Sequence, residues 1–194
     1  MTSPAAARGQ EVRRRLLGAA IELIPELGWS AVSTRVLADR AGVTPSAVHY
    51  HYPSLTALLN EAAAGCLREV LDGAWSALDG ARTADDVFDA VLGSVDRYTG
   101  DDPVSLLAIE ACLAATRDPE LRDLIREVFA EYRRGLARLL GERGVPAPEA
   151  TASVLTAAVD GLLLHRGIGA GGDAADRAAV ASVLRRLAGN GEAR

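Results

Sequence analysis

The 194-residue sequence contains no lysine, and all 21 of its basic residues are arginine. We regard this first as a compositional bias and only second as a functional signal. Aromatic residues make up only 4% of the chain, whereas 49% of the residues are hydrophobic, mostly Ala, Leu and Val. The sequence also lacks runs of β-branched residues that are long enough for strands. Because helix-forming residues dominate, the composition predicts an all-α protein.

Other absences narrow the classes of function. No stretch approaches the roughly 18 uncharged apolar residues of a membrane span, and residues 1–9 lack the apolar core of a signal peptide. The sequence has no Gly-x-Ser-x-Gly, His-Glu-x-x-His or Cys-x-x-Cys motif. His49 and His51 diverge on a helix and have no acidic or cysteine partner at ligand spacing, which disfavours a metal site. We therefore expect a cytoplasmic protein that is not an enzyme, has no cofactor or metal and binds no membrane.

The net charge of −5 is unevenly distributed along the chain. Residues 1–52 carry six arginines against four acidic residues, whereas residues 53–194 carry fifteen arginines against twenty-two acidic residues. Phosphate binding depends on the local potential rather than on the sum over the whole chain. The mildly basic residues 1–52 can therefore bind DNA although residues 53–194 are acidic.

Helical periodicity and turn residues predict about nine helices in the chain. The predicted organisation is a disordered segment over residues 1–9, a three-helix domain over residues 10–54 and a larger helical domain over residues 55–194. The first helix runs from residue 10 to residue 27 and is amphipathic, because its apolar residues recur at helical spacing.

The next two helices are short and have clear boundaries. Ser33 is a good N-cap for the second helix, which ends at Gly42. Thr44 is an N-cap candidate for the third helix, Pro45 stands at its first position, and the helix continues through Tyr52. Because these helices are joined by a short Ala-Gly-Val turn, residues 33–52 have the outline of a helix-turn-helix.

A recognition helix needs small or polar residues at its N-terminal end and hydrogen-bond donors further along for phosphates. Pro45, Ser46 and Ala47 are compact enough to approach base edges, and His49 and Tyr50 can reach phosphates beside the groove. The residues predicted to contact DNA are Ser33, Thr34, Arg35, Thr44, Pro45, Ser46, Ala47, His49, Tyr50 and His51.

The four consecutive rings at residues 49–52 could instead form an aromatic stripe in a helical core. Each residue of a helix turns the side chain by about 100°, so four neighbouring rings cannot all face inward. Val48 and Tyr52 are expected to face inward, and at least two rings must point out. Exposed rings beside a turn favour a functional role.

A many-point pattern at fixed spacing lies within residues 28–59. Its residues are Gly28, Thr34, Leu37, Ala38, residues 41–44, residues 48–52, Ser54 and residues 57–59. With this pattern, residues 28–59 resemble the DNA-binding domain of the TetR family of regulators. The resemblance implies a regulator whose remaining helices form a ligand-binding and dimerisation domain, and whose binding to double-stranded operator DNA responds to a small molecule.

The sequence departs from the family pattern at three positions. The family usually has Tyr, Phe and Lys where this chain has His49, Tyr52 and Leu55. A lysine at the start of the fourth helix would supply a phosphate contact. We therefore expect the family's binding mode, with weaker or more pH-dependent phosphate anchoring.

The last two predicted helices cover residues 148–168 and 174–188. Their apolar faces are wider than packing against the core on one side would require. This pattern, together with the resemblance, favours a homodimer with a four-helix interface over a thicker monomeric core. The predicted interface residues are Val154, Leu155, Ala158, Leu162, Val180, Val183, Leu184 and Leu187.

A pocket for a small apolar or amphipathic ligand is expected among the middle helices, although core packing is the alternative for each apolar residue. The predicted lining residues are Trp75, Phe88, Leu92, Leu106, Ile109, Glu110, Leu113, Phe129, Tyr132, Asp160 and His165. Together with the resemblance, these features predict a DNA-binding repressor that a ligand releases from its operator. The alternative is a helical ligand-binding or scaffold protein with weakened DNA binding.

Overall fold

The computed structural model describes residues 4–171 and 173–189, and over these residues the chain forms nine α-helices and no strand. The predicted all-α class is therefore confirmed. The helices are α1 (Pro4–Leu27), α2 (Thr34–Ala41), α3 (Pro45–His51), α4 (Leu55–Ser76), α5 (Ala84–Gly93), α6 (Pro103–Ala115), α7 (Pro119–Glu142), α8 (Pro148–Gly167) and α9 (Ala174–Gly189).

The first helix is longer than its apolar pattern predicts. It begins at Pro4, so residues 4–9 are helical and the prediction that they are disordered is wrong. Proline fits the first position of a helix, and the alanines at residues 5–7 have the highest helix propensity of any residue type. The amphipathic pattern missed this extension because alanine contributes little to it. Residues 1–3 lie outside the described residues.

Two compact units make up the described chain. The head unit contains the described residues up to Leu67 together with Leu106–Ile125, and the body unit contains Arg68–Ser105 together with the described residues from Arg126 onward. The helices α4, α6 and α7 each pass from one unit into the other. The compact units therefore differ from the continuous segments predicted from the sequence.

The head unit is built around α1, which packs against α2 and α3. Four of its apolar side chains, Leu16, Ala20, Leu23 and Ile24, are almost completely buried. Burying a leucine or isoleucine side chain stabilises the folded state by about 1.5–3 kcal/mol. This core fixes the helices that carry the helix-turn-helix.

The body unit has its own apolar core, to which α5, α7, α8 and α9 all contribute. A capping box begins α5, because Thr83 accepts the backbone N–H of Asp86 while the Asp86 carboxylate accepts that of Thr83. The most buried side chains of this core include Val87, Phe88, Leu92, Leu136, Leu140 and Leu155. None of the helices in the described ranges is both long and apolar enough to cross a lipid bilayer.

Candidate nucleic-acid interface and ligand site

The turn between α2 and α3 has the geometry that a helix-turn-helix requires. Gly42 follows α2 in the left-handed conformation (φ 62°), which favours glycine, and its N–H is bonded to the carbonyl oxygens of Ala38 and Asp39. Arg15 of α1 donates from Nη2 to the carbonyl oxygen of Gly42 at 2.9 Å. The turn is therefore held by α1 as well as by its own backbone.

The outer face of α3 presents the residue types that DNA contact needs. Pro45 and Ser46 are exposed at its N-terminal end, and Ala47 is half-buried. His49 is exposed one turn further on, and Tyr50 is 85% exposed. Small residues therefore come first, and hydrogen-bonding side chains follow, as a helix entering the major groove requires.

The inner face of α3 is apolar. Val48 and Tyr52 are buried in the head unit, as their spacing predicts. His51 is half-buried, and its ring meets that of Tyr50 edge-on at 5.1 Å between centroids. The aromatic run is thus divided between inside and outside, and the interpretation of the run as a purely internal stripe is excluded.

The two predicted N-caps behave differently. Ser33 Oγ accepts the backbone N–H of Val36 at 3.3 Å and caps α2. Thr44 occupies the N-cap position of α3, but its side chain makes no capping hydrogen bond and its Oγ1 lies 2.9 Å from Ser46 Oγ. At the start of α2, Thr34 is half-buried and Arg35 is exposed.

A charged and aromatic cluster supports α3 from behind. The guanidinium of Arg13 lies over the Tyr52 ring, 4.5 Å from its centroid, and is ion-paired with Glu61. The Tyr52 hydroxyl donates to Glu61 Oε1 at 3.3 Å. Burial, followed by the negative charge of Glu61, raises the pKa of Tyr52 to about 12. The ring therefore stays neutral and keeps its hydroxyl as a donor.

The body unit contains a small cavity of about 50 Å³ between α4 and α7. The rings of Trp75 and Tyr132 meet there edge-on at 5.5 Å between centroids. A Cβ at Gly135 would come within 2.4 Å of the Trp75 indole, so glycine leaves the space that this ring needs. The cavity is lined by Arg68, Leu71, Asp72, Trp75, Val128, Glu131 and Tyr132.

The cavity is lined by both aromatic and charged side chains. Its two aromatic rings offer apolar area and electron-rich faces. Two carboxylates, Asp72 and Glu131, line it against one guanidinium, Arg68. Burial, followed by the charge of Asp160, raises the pKa of Tyr132 to about 12, so its hydroxyl remains protonated. Within the described ranges, no three side chains of metal-ligating type come together.

Sequence profiles of known families cover most of the chain. Residues 82–190 match the profile described as "Tetracyclin repressor-like, C-terminal domain", and residues 16–62 match the profile described as "Bacterial regulatory proteins, tetR family". The chain belongs to the TetR family. The predicted resemblance is confirmed, and this TetR-family protein contains both the N-terminal and the C-terminal regions that the two profiles describe.

Individual relatives agree with the profiles. The chain is 28% identical over 129 residues to the HTH-type nicotine-responsive transcriptional repressor HdnoR of Paenarthrobacter nicotinovorans, a match that covers 66% of each protein. It therefore spans just under two thirds of that relative's length. A candidate transcriptional regulator of Streptomyces coelicolor A3(2) is 28% identical with a TM-score of 0.77, over 92% of this chain and 98% of that one. The multidrug binding protein EbrR, complexed with imidazole, is 26% identical with a TM-score of 0.68, over 91% and 94%.

The predicted ligand-lining residues are spread over both units. Trp75 and Tyr132 line the cavity, whereas Phe88 and Leu92 are buried in the core of the body unit and do not line it. Phe129 is half-buried on α7, and His165 is exposed on α8. A ligand role for the residues outside the cavity stays a prediction.

The four predicted ligand residues on α6 belong to the head unit. Leu106 and Leu113 are exposed, and Ile109 is half-buried. Glu110 already has a partner there, because its carboxylate accepts the backbone N–H of Trp29 at 3.0 Å. This contact ties α6 to the turn that follows α1.

The predicted dimer residues divide into two groups. Leu155, Leu162 and Leu184 are buried within the protomer, so the wide apolar faces of α8 and α9 are partly explained by its own core. Val154 and Val183 are exposed, and Ala158 and Val180 are half-buried. The side chain of Leu187 lies outside the described residues.

Sequence reasoning missed most of the cavity. Arg68, Leu71 and Asp72 stand seven, four and three residues before Trp75, which places them on its side of α4. On α7, Val128 stands four residues before Tyr132, whereas Glu131 is its immediate neighbour and has no such spacing. The helical spacing around the two rings was therefore the available signal. The prediction instead placed its charged ligand residues at Glu110, Asp160 and His165, none of which lines this cavity.

We predict that the Tyr52 ring, more than its hydroxyl, stabilises the head unit. Tyr52→Ala should lower the free energy of unfolding by about 3–5 kcal/mol, because it removes a buried ring and the surface under Arg13. Tyr52→Phe keeps the ring and should lose less than about 1 kcal/mol, since only one hydroxyl contact disappears. Urea unfolding followed by circular dichroism measures both variants. Equal losses in the two variants would contradict the prediction.

Proposed function

We propose that this TetR-family protein is a DNA-binding transcriptional repressor that leaves its operator when it binds a small molecule. The observation that carries the proposal is the exposed face of α3, with small residues first and with His49 and Tyr50 behind them. The match of residues 16–62 to the tetR family profile supports the same function. Thr34, Thr44 and His51 are proposed phosphate contacts beside this face.

We propose that the protein binds its operator as a homodimer. Apolar side chains that remain exposed on or beside α8 and α9 support this state, namely Val154, Leu164, Ile168 and Val183. Pairing of these helices with their copies would bury the exposed patch. Two copies of α3 could then enter successive major grooves, about one helical turn of DNA apart.

The Trp75 cavity is the proposed ligand site, and a small amphipathic cation is the proposed ligand. The relative that responds to nicotine and the relative complexed with imidazole support a nitrogen-containing ligand. The cavity of about 50 Å³ is smaller than such a molecule. We propose that binding moves Trp75 or the helices around it and so enlarges the cavity.

The release mechanism that we propose follows from the course of α4. This helix carries Trp75 in the body unit and begins in the head unit at Leu55, directly after α3 and its connecting residues. A ligand that favours a wider cavity would favour another arrangement of α4. The ligand would then lower the affinity for DNA. The largest possible decrease equals the ratio of the ligand's own affinities for the two arrangements of α4.

The alternative of a ligand-binding or scaffold protein with weakened DNA binding is favoured by one observation. Leu55, the first residue of α4, is half-buried and apolar at a position where the family usually has a cation. If the wild-type protein showed no salt-dependent binding to its own upstream DNA, this alternative would replace the repressor.

We predict that Ala47→Glu lowers affinity for the upstream DNA at least tenfold, because it places a negative charge beside phosphates and base edges. Tyr50→Ala should also weaken binding, since it removes an exposed donor without disturbing the core. Fluorescence anisotropy with a labelled upstream duplex measures the affinity. Ala175→Glu, the same change in the first turn of α9, is the control and should bind like wild type. If Ala47→Glu bound the duplex with wild-type affinity, α3 would be excluded as the recognition helix.

We predict that Val183→Asp converts the dimer to a monomer, because it introduces two facing charges into an apolar interface. Size-exclusion chromatography with light scattering measures the mass in solution. Leu113→Asp changes an equally exposed apolar residue on α6 and is the control that should remain dimeric. A monomeric wild type, or a dimeric Val183→Asp, would exclude the proposed interface.

We predict that a small organic cation releases the protein from its operator and that this response requires Trp75. Nicotine, imidazole and choline are the probes, and at least one should lower operator affinity tenfold or more. Trp75→Ala should bind the operator normally but lose this response, because the cation loses its aromatic face. Trp29→Phe, which alters the other tryptophan, is the matched control. Failure of all three probes, or an unchanged response in Trp75→Ala, would exclude this ligand class or this site.

A further inference from the structure

The arginines of the DNA-binding region are not equally available to DNA. Three arginines of α1 are engaged within the protein, since Arg13 and Arg14 are paired with carboxylates and Arg15 bonds to a backbone carbonyl oxygen. Arg40 of α2 bridges Glu22 and Glu26. Arg8, in contrast, is exposed, and the structure shows no partner for it within the described part of the chain.

Arg8 lies in the unexpected extension of α1, close to the end of α3. The neighbouring residue Gly9 is so near α3 that a Cβ built on it would lie 3.8 Å from Cε1 of His51. Seven residues separate Arg8 from Arg15, so the two side chains leave α1 in nearly the same direction, about 10 Å apart along its axis. Because Arg15 reaches the turn before α3, Arg8 leaves α1 on the side of the helix-turn-helix.

The charge of Arg8 is not cancelled by its acidic neighbour. Glu11, one turn further along α1, forms a two-pronged contact with Arg14, which donates to its two carboxylate oxygens at 2.6 and 2.9 Å. The pKa of Glu11 is held below its usual value first by this hydrogen bond and then by the charges of Arg14 and Arg15. Arg8 therefore carries an exposed positive charge next to Gly9, the residue that lies near the His51 end of α3.

We propose that Arg8 binds a backbone phosphate of the operator beside the His51 end of α3. The first turns of α1 then belong to the DNA-binding surface, and they supply a cation that Leu55 does not. This inference rests on the proposed DNA binding. A phosphate contact fixes the position of the protein on the duplex and carries no base preference of its own.

Salt dependence separates a phosphate contact from a structural role. The logarithm of the affinity falls with the logarithm of the salt concentration, with a slope of about 0.9 for each phosphate neutralised. We expect Arg8→Gln to reduce that slope by about 1 for each protomer bound and to weaken binding roughly three- to tenfold at low salt. Arg8→Lys should restore most of the slope, because the charge is retained.

The experiment measures the anisotropy of a labelled duplex from the protein's own upstream region over a series of KCl concentrations. Arg138→Gln is the matched control, because Arg138 is exposed on α7 in the body unit. Its affinity and slope should equal those of wild type. Thermal unfolding of Arg8→Gln should match wild type as well, since glutamine and arginine have similar helix propensity.

Each other outcome overturns the inference in a distinct way. An unchanged slope in Arg8→Gln, with wild type binding normally, removes Arg8 from the interface and leaves the proposed repressor intact. Weaker binding with an unchanged slope or a lower unfolding temperature assigns Arg8 a structural role instead. Absence of salt-dependent binding in wild type overturns both the inference and the proposed function.

Discussion

The orientation of α3 depends on the burial of one aromatic ring, that of Tyr52. A helix as short as α3 is not stable in water by itself, because nucleation costs more than its few hydrogen bonds return. Burial of Val48 and Tyr52 holds α3 on the head unit, and Arg13 and Glu61 enclose the Tyr52 ring. The residues on the opposite face are consequently presented to solvent in one orientation, which base contact requires.

Two polar contacts within the head unit join segments that are far apart in the sequence. Glu110 of α6 accepts the backbone N–H of Trp29, and the buried Asn60 of α4 donates from Nδ2 to Asp118 at 3.0 Å. The hydrogen bond from Asn60, with those from the first backbone N–H groups of α7, holds the pKa of Asp118 below its usual range. These bonds therefore hold α6 beside the turn that follows α1, and α4 beside the start of α7, within the head unit.

Most of the fold could be predicted because helix boundaries are local. Proline at first positions, Ser33 as a cap and Gly42 after α2 act through their nearest neighbours in the chain. The prediction failed where side-chain patterning was the only guide. Residues 4–9 are helical through propensity rather than amphipathicity, and Arg8 was overlooked for that reason. The cavity was predicted only at Trp75 and Tyr132, since apolar spacing cannot indicate which charged residues face a partner helix.

The sequence by itself determined the helical class, the order of the helices, the family and the division of the aromatic run into inner and outer rings. The family follows from the resemblance of residues 28–59, and the other properties follow from periodicity and from residues close together in the chain. Only the tertiary structure decided which apolar residues of α8 and α9 are used within the protomer, and which arginines remain available for phosphate. Both depend on partners far away in sequence, such as Glu61 for Arg13 and the carbonyl oxygen of Gly42 for Arg15. Such pairs are set by packing, which the local pattern does not contain.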